Sequence, residues 1–433
     1  MKSIASKLML GAAAFAFIGS AHAATYLRLT GSSAYRSAVH TAIRNIAWDA
    51  APSYAYTGTS LSGASQAIFH GNIAGVDTYI KTSWTGSEAG IQAVAGDLPA
   101  SASFLQDSTT TSTSGTPSVT TNGDTTHPDA CMSDTFQASS VFYNSTIGSV
   151  TYGTLATANT GSGTDPAGVV GVVPFKFCTS RGSVITDITS QLAQNLYSSG
   201  KVSLSLFTGN SADVGTKSSG GGNGKWIFAT GRDPDSGTRL TALAEIGLGG
   251  QSGVTQFQPS TGTAGSPVQV TAAGTTITVN VPFPAGTING IAIGTGNNGY
   301  SSGGNLAKAI NGNTTGMVNG AGSNKITGGS YVAYLGTSDA DPQITGSAST
   351  GIVELSYNGV TLGNVAGDYN TSTVLTYGKY TFWGYEHMYY KTGLATTVTD
   401  VADKVAKQLH DTDAVVKLSS MKVSRTTDGA VVQ

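Results

Sequence analysis

The run Gly231-Arg232-Asp233-Pro234-Asp235-Ser236-Gly237-Thr238-Arg239 joins two segments of different character. Before it, Lys225-Trp226-Ile227-Phe228-Ala229-Thr230 is apolar and strand-like; after it, Leu240-Thr241-Ala242-Leu243-Ala244-Glu245-Ile246 is helix-like. Ser-Gly-Thr at such a junction places hydroxyls and free backbone N–H groups at a helix N-terminus, where the dipole already favours negative charge. Arg232, just upstream, offers a two-pronged guanidinium to the same point. The same residues also suit an ordinary βα turn with an N-capping Ser or Asp and a surface arginine.

Two further segments repeat the design. Tyr26-Leu27-Arg28-Leu29 predicts a strand, followed by Thr30-Gly31-Ser32-Ser33-Ala34-Tyr35 and a helical pattern through Ala38, Val39, Ala42, Ile43 and Ile46. Thr85-Gly86-Ser87-Glu88-Ala89-Gly90 opens a third helix at Ile91-Gln92-Ala93-Val94-Ala95. In each, glycine frees the backbone to approach a ligand and serine caps the helix. Strand–Gly-Ser–helix junctions are common in α/β proteins, but three in one chain point to a shared oxyanion site.

These loops resemble those of the periplasmic phosphate-binding proteins, the solute receptors of phosphate ABC importers in the type II periplasmic binding protein superfamily. The family pattern has four parts: a Thr-Gly-x-(Gly)-x-Thr/Ser-aromatic loop, a Gly-Ser-x-x-Gly helix start, a Ser-Asp strand end and an Arg-x-Asp-Gly-Ser-Gly-Thr loop. The first falls on Thr30 to Tyr35, one residue shorter than the pattern. The second falls on Gly86 to Gly90, with Ser87 as the anion hydroxyl. The last matches at Arg232, Ser236, Gly237 and Thr238, with Pro234-Asp235 in place of Asp-Gly. The stretch after the second helix, Gly96-Asp97-Leu98-Pro99-Ala100-Ser101, has no Ser-Asp pair. Beyond a Ser/Thr/Gly-rich segment, 106–128, stands Asp129-Ala130-Cys131-Met132-Ser133-Asp134, which follows the family strand except for Cys131 where the family has Gly. The resemblance therefore places the anion-facing carboxylate at Asp134 and makes 106–128 an inserted loop. Such a carboxylate accepts a proton from a protonated oxyanion and disfavours sulfate. The plain alternative for Asp134 is a strand-end turn residue.

The implied ligand set is Thr30, Ser33, Tyr35, Ser87, Asp134, Arg232, Ser236, Gly237 and Thr238. The implied fold is α/β, with two lobes joined by two crossover strands and the ligand cleft between them. Lobe I is expected at 24–177 plus 379–433 and lobe II at 178–378, with inserts near 106–128 and 247–290. Val169 to Phe177 is the first expected crossover and the aromatic run Tyr377 to Tyr390 the second. Ile185 to Leu196 predicts a capped helix, Thr276 to Val281 a β-hairpin, and Val398 to Leu409 a closing amphipathic helix. Asn297 to Leu306 reads as a ligand-facing loop or as loop filler.

Met1 to Ala23 has Lys2 and Lys7, an apolar run from Leu8 to Ile18 and Ala21-His22-Ala23 at its end. This is the pattern of a cleaved secretory signal, too short in its apolar run to span a bilayer. A periplasmic or secreted protein starting at Ala24 is expected, with no membrane insertion after cleavage. Charged residues are only 11% of the chain, and loss of the two leader lysines takes the formal net charge from −2 to −4. Such a surface is no footprint for nucleic acid, so anion attraction must come from local groups. Apolar residues make up 39%, enough over about 410 residues for more than one core.

Cys131 and Cys178 are the only cysteines. In an oxidising compartment an isolated pair tends to be joined, so a disulfide is expected. A metal site with His127 and Asp129 lacks soft ligands, and His40, His70, His387 and His410 show no ligand spacing, so no metal or cofactor is expected. Phosphate or a similar oxyanion, delivered to an ABC permease, is the partner set the resemblance implies. Two other readings stand beside the receptor. One is a secreted phosphatase on the same fold, as in DING-type proteins, although no metal cluster or Ser-His pairing is visible. The other is a structural surface protein that kept the fold without binding.

Overall fold

The computed structural model describes residues 23–118, 123–216, 225–261, 268–272, 275–312, 318–319, 326–327, 329–345, 347–363 and 367–433. The leader expected over 1–23 lies almost wholly outside these residues. Among the described residues no helix is long and apolar enough to cross a membrane.

The fold is mixed α/β, as expected, and is built around one large sheet. Its strands are β1 (Thr25–Gly31), β2 (Ser53–Thr57), β3 (Gln66–Ile73), β4 (Val76–Ser83), β5 (Thr116–Ser118), β6 (Ala130–Ser133), β7 (Val169–Thr179), β8 (Lys201–Ser203), β9 (Trp226–Ala229), β14 (Ser330–Gly336) and β15 (Trp383–Tyr390). The hairpin strands β10 to β13 lie off it and are described below. The main path of the thirteen-stranded sheet runs β8-β9-β14-β7-β15-β6-β1-β4-β3-β2-β5. The two expected crossovers, β7 and β15, are therefore adjacent and antiparallel at its centre. Strands drawn from residues 25–133 lie on one side of this pair, and strands from 201–336 on the other.

β7 reads Val-Val-Gly-Val-Val-Pro-Phe-Lys-Phe-Cys-Thr and is buried along its whole length, which explains its near-continuous apolar run. Its one charge, Lys176, is fully buried between Asp341 at 2.8 Å and Glu354 at 2.9 Å. Removing one member of a buried ion cluster leaves the others uncompensated, at a cost of about 3–5 kcal/mol. Lys176→Met is accordingly expected to lower the urea midpoint strongly. An unchanged midpoint would show that this cluster adds nothing to the fold.

The expected helices are present. α1 (Arg36–Asn45) buries Val39, Ala42 and Ile43 on one face. α2 (Ser87–Ala95) is buried from Ser87 through Val94, wedged against β1 and β6. α3 (Ser190–Ser199) begins later than its pattern suggested, because Thr189 is the cap that accepts from the Leu192 N–H. α4 (Gly237–Glu245), α5 (Gly303–Asn311) and α6 (Thr396–Gln408) complete the set that matters for the site. In the 247–290 insert, β10 (Gln269–Ala272) and β11 (Thr275–Pro282) form the expected hairpin. A second hairpin follows, β12 (Gly286–Ile288) and β13 (Ile291–Ile293), turning at Asn289-Gly290 with positive φ at both residues.

The expected disulfide is not formed: Cys131 and Cys178 are both free and buried. Register gives the reason. Cys131 faces Tyr389 on β15, six residues from Trp383, while Cys178 lies four residues beyond Pro174, which faces Trp383 from β7. The thiols thus sit at opposite ends of the central pair, on the order of 30 Å apart along the strands, against a Cα limit of about 7 Å for a bridge. Burial also pushes both thiols well above their ordinary pKa. Thermal melting should therefore be indifferent to dithiothreitol, and both thiols should react with an aromatic disulfide reagent only after unfolding. Two thiols missing from the denatured, unreduced protein would contradict this.

Candidate functional site

Three loops distant in sequence meet at the N-termini of α2 and α4. The Ser87 hydroxyl donates to Asp134 Oδ1 at 2.5 Å, and the Thr238 hydroxyl donates to Asp134 Oδ2 at 2.8 Å. The Asp134 backbone N–H lies 3.3 Å from Ser87 Oγ, and Thr241 donates to the Asp134 carbonyl at 3.1 Å. Contact this close needs glycine. A Cβ at Gly237 would fall 1.8 Å from Asp134 Oδ1, and one at Gly86, whose φ is +104°, would fall 2.4 Å from the Asp235 carbonyl. Two backbone bonds tie the loops: the Gly86 N–H donates to Gly31 O at 2.9 Å, and the Glu88 N–H to Asp235 O at 3.0 Å.

Asp134 immediately follows β6 and is almost completely buried. Burial raises its pKa, while hydrogen bonds from Ser87 and Thr238 and the charge of Arg232 oppose that rise. Ser236 caps α4 by accepting from the Arg239 N–H at 3.3 Å. Arg232 is only 2% exposed, so the surface-arginine alternative fails. Its Nε donates to Tyr300 O and its Nη2 to Ser301 O, each at 3.0 Å. The Asn297–Leu306 stretch is thus the segment that holds the guanidinium in place. Neither Asp233 nor Asp235 forms an ion pair with Arg232; Asp235 accepts instead from the Asn289 amide. Burial pushes Asp233 up to about 6 and Asp235 up to about 7.

The first loop is placed differently from the other three. Thr30 Oγ1 donates to Ser83 O at 2.6 Å, within the sheet. The Tyr35 hydroxyl is buried and accepts from the Val415 N–H at 3.0 Å, so the ring anchors the C-terminal segment. Ser33 is half-buried in the turn before α1. Ser87, Asp134, Gly237 and Thr238 are therefore brought together, and Ser236 and Arg232 adjoin them through their own loop. Thr30 Oγ1 also lies 3.0 Å from Thr85 Oγ1 at the start of the Ser87 loop, and Tyr35 bonds elsewhere.

Sequence reasoning missed three charged groups nearby. Glu386, on β15, is fully buried; Ser32 Oγ donates to its Oε2 at 3.2 Å, and Oε1 has no partner. Burial, and then the charge of Asp134, hold its carboxyl well above the usual carboxylate range. Arg36 begins α1 with its Nε buried and unpartnered, and it shares the field of Asp339 with Arg232. Arg239, also buried, donates to Arg232 O at 3.2 Å and to Asn297 O at 2.9 Å, bracing the loop from within. The available signal for Glu386 was an acid inside an otherwise apolar aromatic strand. Among the described residues no group of three or more His, Cys, Asp or Glu side chains is arranged to hold a metal.

No protein-family model and no curated protein sequence matches the chain. Solved structures do. The chain is similar to a putative phosphate ABC transporter substrate-binding protein from Clostridium perfringens, with bound phosphate, at 12% identity over 91% of this chain and 100% of that one, with a TM-score of 0.39. It is similar to a phosphate-binding protein from Stenotrophomonas maltophilia at 14% identity over 95% and 87% of the two chains, TM-score 0.38. An ABC-type phosphate transport receptor from Vibrio cholerae matches at 10% identity over 89% and 96%, TM-score 0.36.

Proposed function

We propose that this chain is a periplasmic or secreted receptor that captures phosphate or a similar tetrahedral oxyanion between two lobes, for ABC-type uptake. The observation that carries the reading is the meeting of Ser87, Asp134 and Gly237-Thr238 at two helix N-termini, beside the buried Arg232. Helix N-termini, hydroxyl donors and a planar guanidinium are the donor set a dehydrated oxyanion needs. The buried carboxylate adds an acceptor that only a protonated oxyanion satisfies. In this reading lobe I comprises 24–177 and 379–433 and lobe II 178–378, with β7 and β15 as the hinge. Ser236 adds a further hydroxyl, and Ser33, Thr30 and Tyr35 belong to the loop that lobe I brings to the cleft.

One observation favours a second reading. Asp134 itself accepts from both Ser87 and Thr238, so an internal carboxylate meets donors that an external anion would use. A structural protein that kept the fold would look the same here. Calorimetric titration of phosphate, arsenate and sulfate into the chain from Ala24 separates the two. Heat from phosphate and arsenate supports a receptor, and silence from all three supports the structural reading. A phosphatase assay with and without divalent metal should be negative in both conditions, and metal-stimulated turnover would support the enzyme instead.

A further inference from the structure

We propose that a cavity beside the α4 N-terminus is a second ligand site, one that takes a small primary ammonium with an aliphatic body. It does not rest on the oxyanion reading. The cavity measures about 200 Å³ and is enclosed by α2, the Pro234–Leu240 segment and the β12–β13 hairpin. The hairpin is held over it by two contacts: the Gln92 amide donates to Asn289 O at 3.2 Å, and the Asn289 amide donates to Asp235.

The decisive group is Glu88. It lines the cavity, is 2% exposed, and neither of its carboxylate oxygens has a hydrogen-bond partner. A buried carboxylate without a donor is costly, so a site that keeps one is built to receive a donor. The Ser140 and Gln251 side chains are its polar neighbours and favour its charged form. Asp235 lines the same space, and Arg239, the cation on this wall, is turned onto the Arg232 and Asn297 carbonyls. Val141, Phe142, Leu240, Ile288, Ile291 and Ile293 add apolar wall, beside the polar Ser236, Gln251, Ser252, Asn289 and Asn297. A cavity that combines carboxylates with aliphatic and aromatic side chains fits an alkylammonium. A divalent cation needs more oxygen ligands and gains nothing from the apolar walls.

Protonation provides an independent readout. Burial, reinforced by Asp428 from the C-terminal segment and Asp235 from the α4 loop, raises Glu88 to about 7. The carboxylate that the ammonium needs therefore forms as pH rises through neutrality. The probe is n-pentylammonium, titrated into the chain from Ala24 without phosphate, with n-pentanol and pentanoate as isosteres. The expected result is one-to-one binding of the amine, at least tenfold tighter than either isostere and strengthening from pH 6 to pH 8. Glu88→Gln should weaken the amine at least tenfold and flatten that pH profile. Ile291→Trp, which fills the cavity from the hairpin, should abolish binding even if Glu88→Gln does not fold. No binding by the parent, equal binding of the alcohol, or an unaffected Ile291→Trp variant would each overturn the site.

Discussion

Replacing Arg232 by alanine is expected to weaken phosphate binding by roughly 30-fold to several thousandfold while leaving the fold intact. Truncating one partner of a buried, hydrogen-bonded charge pair costs about 2–5 kcal/mol, and every 1.4 kcal/mol is a factor of ten. The guanidinium is held by the Tyr300 and Ser301 carbonyls rather than by a carboxylate, so its charge is uncommitted to any ion pair. Losing it frees two carbonyls, a modest penalty beside the loss of binding. Arg232→Lys should recover only part of the affinity, because an ammonium cannot reproduce the planar fork. Calorimetry gives the affinity and circular dichroism the fold. A folded Arg232→Ala variant that binds phosphate like the parent would remove this loop from the site.

The second large effect concerns Asp134, which sets selectivity. At neutral pH phosphate carries a proton to donate and sulfate does not, so sulfate meets a buried carboxylate to which it offers no donor. The penalty should be several kcal/mol, or roughly a thousandfold. Asp134→Asn keeps one acceptor and adds a donor, so the phosphate-to-sulfate preference should collapse. The parent's preference should also shrink as pH falls. Burial raises the Asp134 pKa, and once protonated the group is itself a donor that sulfate can use. Equal selectivity in parent and variant would make Asp134 a structural residue, tying α2 to α4 through Ser87 and Thr238.

Much of this was legible in the sequence because it depends on local chemistry. The apolar run at Val169 and the mixed aromatic run ending at Tyr390 read as buried strands, and they pair at the centre of the sheet. Ser87, Asp134, Gly237 and Thr238 were singled out because their loops resemble the phosphate-binding pattern, and the structure brings these four residues together. What failed depends on long-range register and side-chain direction. The cysteine pairing looked reasonable for neighbouring strands, but ends of strands cannot be told apart without register. The resemblance put Tyr35 near the anion, whereas its hydroxyl accepts from the Val415 N–H, 380 residues away. Glu386 and Arg36 were missed because a single charge in an apolar or helical pattern does not declare what it faces. The β12–β13 hairpin was too short for its period to stand out, yet it links the α4 loop to α2.

The central claim is that these loops form a phosphate receptor, and one titration tests it most directly. Phosphate and sulfate are each titrated calorimetrically into the chain from Ala24 at pH 7. The account predicts saturable one-to-one binding of phosphate and roughly thousandfold weaker binding of sulfate. No heat from phosphate, or a preference for sulfate, would contradict it.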